Sequence, residues 1–406
     1  MIYLKLHVFP SPRSFLRGNK ALSSNQSPDF TTGDAAESNN SISEIGVERA
    51  AVDVAIGGAL DAYRKSVSIA STYTPKGAWM MLSSLNPPQD VSFGYDIDVD
   101  IIWHSDMDYG TLDVAGTVLL MVCAPNADTY YLVTPDSQSH LHAWLSHGTV
   151  QEPLVHVLKK AQVSPVLSAF GPKILTDSFL AAWRTANEGT PNIREDTLLS
   201  TKLAYLTASL CSEKAAQIDE IPLDGIKILD ILVLLSDMDS DTIENVKDQL
   251  VDCILKFWTA LPDVSKAKAY EMANDVIKKQ EPGRIWLCVT DTLAPGGPDE
   301  TGNRPPVEVM GYVYMGRETT STIAVRNVFI QEKWRGRKLA APLVYAACRY
   351  WLLEGGAPIE KRKEAVSLFV EPSNRPATMA YMKCGFIIRE EEWARNGFEG
   401  VNPGDF

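Results

Sequence analysis

What this sequence lacks narrows its chemistry before any motif is considered. No run approaches the roughly 20 apolar residues that a membrane-spanning helix needs. The opening apolar stretch is interrupted by Lys5 and His7 and followed by Pro10, so it reads as neither a span nor a secretory leader. Cysteine is sparse: six among 406 residues, scattered, with no CxxC pair, which leaves no zinc knuckle or disulfide framework to read. Reduced, buried thiols in a cytoplasmic protein are the expectation. Histidine stops early, at His7, His104, His140, His142, His147 and His156. Around 140–147 the spacings are two and five rather than the four that puts two ligands on one helix face, so no metal site is expected. Nucleophile elbows, Walker loops and dinucleotide fingerprints are missing too. Cations are outnumbered, 38 Lys and Arg against 51 Asp and Glu, for a formal net charge of -13. Nucleic acid and anionic membranes are therefore not expected partners, whereas a cationic substrate fits. Against that background a local cluster of Arg and Lys stands out.

What is present indicates two α/β domains. A chain of 406 residues exceeds the size at which one core keeps growing, and 45% apolar content is ordinary for a globular protein. Residues 1–44 read as a mostly irregular arm, since 11–44 is rich in Ser, Asn, Gly and Asp and holds few large apolar side chains. A first α/β domain is expected over 45–221. It has helical patterns at 47–67, 140–160 and 175–186, and strand patterns at 96–103, 114–122, 130–133, 166–170 and 198–206. Pro222 and Gly225 mark a junction. A second domain, 222–406, shows helices at 243–261 and 264–279 and strands at 285–290, 308–315 and 322–330, with a Gly- and Pro-rich loop at 291–306. Helix 339–354, strand 365–371, helix 376–384 and strand 386–390 complete it.

Chemistry concentrates in this second domain. In NVFIQEKWRGRKLA (327–340) a strand runs into a basic turn that opens a long helix. Free N–H groups at a helix start, reinforced by the macrodipole, can cradle phosphate. Gly336 would let the backbone approach an anion closely, and Arg335, Arg337 and Lys338 would neutralise it. Alone, such a turn is more often a solvated helix end. After the next strand comes NRPATMAYMKCGF (374–386). Asn374 can cap that helix, Pro376 suits its first turn, Ala377 and Tyr381 share a face, and Gly385 ends it.

These two passages, in this order, resemble the GNAT superfamily of acetyl-CoA-dependent N-acetyltransferases. Its cofactor loop, Q/R-x-x-G-x-G/A, is met at Arg335 and Ala340, with Lys338 where the family has its central glycine. Its later pattern, N-x-x-A-x-x-x-Y-x-x-x-G-F, is met in full by Asn374, Ala377, Tyr381, Gly385 and Phe386. The resemblance covers about Asp224 to Trp393 and implies a GNAT fold with a splayed mixed sheet. The first domain is loosely similar to a degenerate second copy, without either motif. The resemblance further implies that main-chain atoms of Val328 and Ile330 pair with the pantetheine arm, and that Arg335, Gly336, Arg337, Lys338, Leu339 and Ala340 hold the diphosphate. It implies that Asn374 contacts the cofactor or orders the splayed strands, and that Tyr381 faces the sulfur as general acid.

The implied reaction is direct acetyl transfer from acetyl-CoA, as co-substrate, to a primary amine on a small molecule or protein, with no covalent enzyme intermediate. A base must take a proton from the amine; Glu308 is the first candidate and Glu371 the second. Tyr312 and Tyr314 either line the acceptor cleft or pack in the core. Cys348 and Cys384 fit helix packing. A non-catalytic CoA-binding or scaffold protein is the competing reading, favoured by Lys338 at the glycine position and by the lack of an obvious base.

Overall fold

A computed structural model describes residues 2–9, 78–84, 97–103, 117–123, 129–133, 166–257 apart from 188 and 237, 281–290, 307–319 and 322–401 apart from 354, with isolated helical residues at 155 and between 267 and 274. Stretch 11–44, helices 47–67 and 140–160, most of helix 264–279 and loop 291–306 lie outside the described residues, as do all histidines but His7. The chain forms two compact units: Met1–Thr201 with Glu391–Phe406, and Lys202–Glu390.

In chain order the elements are β1 (Ile2–Phe9), β2 (Ala78–Ser84), β3 (Ile97–Trp103), β4 (Thr117–Cys123), β5 (Thr129–Val133), β6 (Ser168–Pro172), α1 (Lys173–Ala186) and β7 (Leu199–Thr207). Then come α2 (Ala208–Glu213), α3 (Ala215–Asp219), β8 (Ile226–Asp230), α4 (Ile231–Ser236), α5 (Ser240–Phe257), β9 (Ile285–Thr290), β10 (Val309–Gly316) and β11 (Thr322–Ile330). A 3-10 turn (Glu332–Trp334), α6 (Ala340–Leu352), β12 (Ala365–Val370), α7 (Arg375–Lys383) and β13 (Ile387–Gly397) follow. Both units are mixed α/β, as the sequence indicates. The opening residues, expected within an irregular arm, form β1. The unit boundary falls inside β7, not at 221, because Lys202–Thr207 pair antiparallel with β12. Likewise β13 runs well past its expected end at 390, and Trp393–Gly397 pair with β6 in the first unit. Among the described residues no helix is long and apolar enough to cross a membrane.

In the first unit β1, β2, β4 and β5 pair antiparallel in succession, and β5 pairs parallel with β6. The second unit repeats this: β8, β9, β10 and β11 pair antiparallel in succession, and β11 pairs parallel with β12. The parallel pairs differ at their ends. In the first unit Gly171 lets β5 and β6 close up, since a side chain there would meet the Leu132 carbonyl.

β10 is the middle of the second unit and is covered on both faces, which explains its nearly unbroken apolar sequence. Val313 and Met315 point to a core built on α6, while Val309 and Tyr312 point to a core built on α5. α5 buries Val246, Leu250, Val251 and Ile254, the spacing of one helical stripe. α6 buries nine of its residues, as a helix apolar nearly all round must. Pro342 is accommodated in its first turn, where no intrahelical N–H is needed.

β10 and β11 approach closely at Gly311, where an added Cβ would meet the Phe329 carbonyl and the Ile330 side chain. Gly311→Ala is therefore expected to destabilise the protein by about 1–3 kcal/mol through overpacking. Urea unfolding measures it, and an unchanged midpoint would show that the strands can part without cost.

Candidate active site

The site begins where β11 stops serving two neighbours. β11 pairs with β12 only over Thr322–Val325, ending at Val325 opposite Leu368. Beyond that point β11 stays on β10 as far as Ile330, and β12 stays on β7 as far as Val370. The two strands therefore part. The fork coincides with a bulge: Val325 faces Met315 and Asn327 faces Tyr314, which leaves Arg326 as an extra residue in β11. A bulge bends its strand and raises the local twist. From Asn327 to Ile330, the β11 edge that faced β12 has no strand partner among the described residues. Val328 and Ile330 lie on this edge, half-buried against the α6 core.

The chain then turns into α6 through a loop of unusual backbone shape. Gly336 has φ of 80° and Lys338, not a glycine, has φ of 62°. Left-handed backbone at a side-chain-bearing residue is unfavourable, and a glycine would adopt it freely. Left-handed Lys338 followed by right-handed Leu339 turns successive N–H groups toward one concavity. Among the described residues, no acceptor is found for the backbone N–H groups of Gly336, Arg337, Lys338, Leu339, Ala340 and Ala341. They stand at the positive end of the α6 dipole.

Side chains hold this loop in place. Arg335 donates from Nε to the Ile330 carbonyl at 3.1 Å, folding the loop back onto the strand end. The Gln331 backbone N–H bonds the Met310 carbonyl at 2.8 Å. Trp334 donates from Nε1 to Glu308 Oε1 at 3.0 Å, and the Arg337 guanidinium stacks 4.5 Å from the centre of its ring. Lys333 forms an ion pair with the same Glu308 oxygen. Burial alone would raise the Glu308 pKa, but the Lys333 ammonium and the Trp334 indole outweigh it and hold the carboxyl below its usual range. A carboxylate so engaged and so weakly basic is poorly suited to general-base work, which argues against that reading of Glu308. Glu371 is exposed just past β12.

α7 brings the second motif to the same core. Asn374 caps the helix: its Oδ1 accepts from the Ala377 N–H at 3.1 Å. Tyr381 is 9% exposed, packs at 5.9 Å against the Phe386 ring, and shares one cluster with Val328, Ile330, Trp334 and Leu339. Burial pushes its phenol well above the usual value, with Cys384 and Cys348 adding to the shift. Cys384 donates from Sγ to the Ala341 carbonyl at 3.1 Å, tying the end of α7 to the first turn of α6. Of the two tyrosines on β10, Tyr312 is core, 2% exposed, while Tyr314 is half-buried under the Arg326 guanidinium. Among the described residues no group of three or more His, Cys, Asp or Glu is arranged to hold a metal.

The structure thus puts Val328 and Ile330 on the strand end that leads into the loop Arg335–Ala340, packs Tyr381 in the same core, and makes Asn374 the cap of α7. Sequence reasoning passed over Trp334 and the bulge at Arg326. A tryptophan among four cations was the signal for the first. The second leaves no local signal, since register depends on β10.

No family model matches this sequence, and no curated protein does. Solved structures do match at low identity. A tandem GNAT protein from the clavulanic acid biosynthesis pathway, determined without AcCoA, is 12% identical and covers 97% of this chain and 97% of its own, with a TM-score of 0.40. A Drosophila protein is 7% identical over 96% of this chain and 98% of its own, with a TM-score of 0.47. A GCN5-related N-acetyltransferase from Sphaerobacter thermophilus is 14% identical over 73% of this chain and 85% of its own, with a TM-score of 0.38.

Lys338→Gly is expected to raise stability by up to about 1 kcal/mol by releasing the left-handed strain. A higher urea midpoint at unchanged slope checks this. The five cysteines with described side chains are all buried. Burial raises Cys211 and Cys253 to about 11 and Cys288 to about 12, and it raises Cys348 and Cys384 as well. None of these five should alkylate with iodoacetamide at neutral pH until the protein unfolds, as read peptide by peptide in mass spectra.

Proposed function

We infer that the second unit transfers an acetyl group from acetyl-CoA to a primary amine by direct attack. The observation that carries this reading is the continuity of two unsatisfied backbone surfaces. The open edge of β11 leads straight into the row of N–H groups at the start of α6. An extended amide-bearing arm suits the first, and a diphosphate suits the second. Acetyl-CoA presents both in that order.

On this reading the main chain at Val328 and Ile330 pairs with the pantetheine amides, as an added strand would. N–H groups from Gly336 to Ala340 receive the diphosphate, with Arg335, Arg337 and Lys338 supplying positive charge. The neutral amine attacks the thioester carbonyl, forming a C–N bond, and backbone N–H groups near Ile330 stabilise the developing oxyanion. As the C–S bond breaks, Tyr381 gives its proton to the departing sulfur. Glu371, directly or through water, takes the proton released by the amine. Tyr381 must be protonated to act. Burial raises its pKa, so loss of activity from its ionisation belongs above the ordinary phenol value of ~10, not at neutral pH.

Three measurements bear on this. Calorimetry with acetyl-CoA should give one site per chain, because the basic loop and the Asn374–Tyr381 pattern both lie in the second unit. Arg335→Ala with Lys338→Ala should weaken that binding by about tenfold or more. Tyr381→Phe should lower kcat by about 100-fold with little change in affinity, as expected for loss of a general acid. Thiol release with a panel of primary amines reads the rate. Binding without turnover on any amine would leave a CoA-binding scaffold, and no binding at all would sink the reading.

A further inference from the structure

We propose that Glu308 is a positioning residue for the phosphate-binding loop: it anchors Trp334, and Trp334 in turn sets Arg337 and the left-handed turn at Lys338. This rests on the function inferred above, and gives that site a determinant outside its motifs. The geometry forms one chain of contacts. Glu308 is fixed from below, because its backbone N–H bonds the Thr290 hydroxyl at 3.0 Å. The residue after it is fixed from α5, where Gln249 accepts from the Val309 N–H at 2.8 Å and donates to the Val307 carbonyl at 2.9 Å. The Glu308 carboxylate therefore projects from a strand start that has little freedom. It holds the indole N–H of Trp334 and the ammonium of Lys333 together. Lys333 lies 5.9 Å from the centre of the Trp334 ring and Arg337 lies 4.5 Å from it.

The physical need for such an anchor is in the loop itself. Lys338 is held in a conformation a side chain disfavours, and six N–H groups are left without an acceptor among the described residues. An arrangement of that kind persists only when its surroundings over-determine it. Stacking on Trp334 also restricts the Arg337 guanidinium before any anion arrives, which reduces the ordering cost of binding one. Glu308 touches neither phosphate nor reacting atoms in this scheme. Its effect passes through Trp334 to the loop.

The full-length protein carrying Glu308→Ala, Glu308→Gln, Trp334→Phe or Trp334→Ala tests this with two readouts. The first is binding and turnover. Glu308→Ala and Trp334→Ala should each raise the acetyl-CoA Kd by about tenfold while kcat at saturating acetyl-CoA stays within about twofold. Glu308→Gln keeps an acceptor for the indole and should lose less than Glu308→Ala. Trp334→Phe keeps a ring for Arg337 but no N–H, and should fall between wild type and Trp334→Ala. The double variant Glu308→Ala with Trp334→Ala should be no worse than Trp334→Ala alone, since the two act in series. The second readout needs no cofactor: amide hydrogen exchange at residues 335–340 should accelerate in Glu308→Ala relative to the rest of the second unit. A fall in kcat with unchanged Kd would make Glu308 a catalytic base and overturn the proposal. So would a general loss of stability with loop exchange no faster than elsewhere. If wild type does not bind acetyl-CoA, the inferred function fails, and the exchange experiment alone decides whether the anchor exists.

Discussion

Everything in the second unit follows from a strand that cannot keep two neighbours at once. β11 leaves β12 after Val325 because the extra residue Arg326 bends it along β10. Had the ladder continued, the main chain at Val328 and Ile330 would be satisfied by β12, and no open edge would remain. The bulge costs one ladder position and yields a surface of unpaired backbone next to a helix start. Backbone edges of this kind are ordinarily a liability, and proteins keep them only where they are covered or used.

The loop after β11 continues the same economy of unsatisfied groups. Helix starts always have N–H groups without intrahelical partners, and capping side chains commonly satisfy them. α7 follows that rule through Asn374. α6 does not: it has no side-chain cap, and its preceding residues turn their N–H groups outward instead. One helix start is capped by a side chain and the other is not. Beside it, Arg335 bonds the Ile330 carbonyl at the end of β11, and Trp334 bonds Glu308, just before β10.

Much of this was legible in sequence, and the exceptions share a cause. β11, α6, β12 and α7 fall close to their expected limits because their patterns are local: apolar periodicity, a basic turn, an Asn-Pro start and a Gly stop. The short elements α2, α3, α4 and β8 were passed over because five or six residues carry too little periodicity. β13 was underestimated since its second half, Glu-Trp-Ala-Arg-Asn-Gly, reads as surface, yet Arg395 is fully buried with its guanidinium near the Ser168 hydroxyl. Glu308 read as a possible base because it is a glutamate at a strand start. Its real surroundings, Lys333 and Trp334, are 25 and 26 residues away in sequence, and only the fold brings them there.

The comparison of the two units isolates the bulge as the decisive feature. Both have four antiparallel strands ending in a parallel pair, so the strand order by itself does not open a fork. In the first unit β5 follows β4 without a register shift, from Tyr130 opposite Cys123 to Val133 opposite Leu120. Among the described residues no register shift interrupts β5, and Gly171 admits the Leu132 carbonyl beside β6. In the second unit the shift at Arg326 comes one residue after the last shared pair with β12. The same topology carries an unshifted ladder in one unit and a shifted one in the other. The open edge of β11 is therefore set less by the repeated architecture than by a single extra residue in one strand.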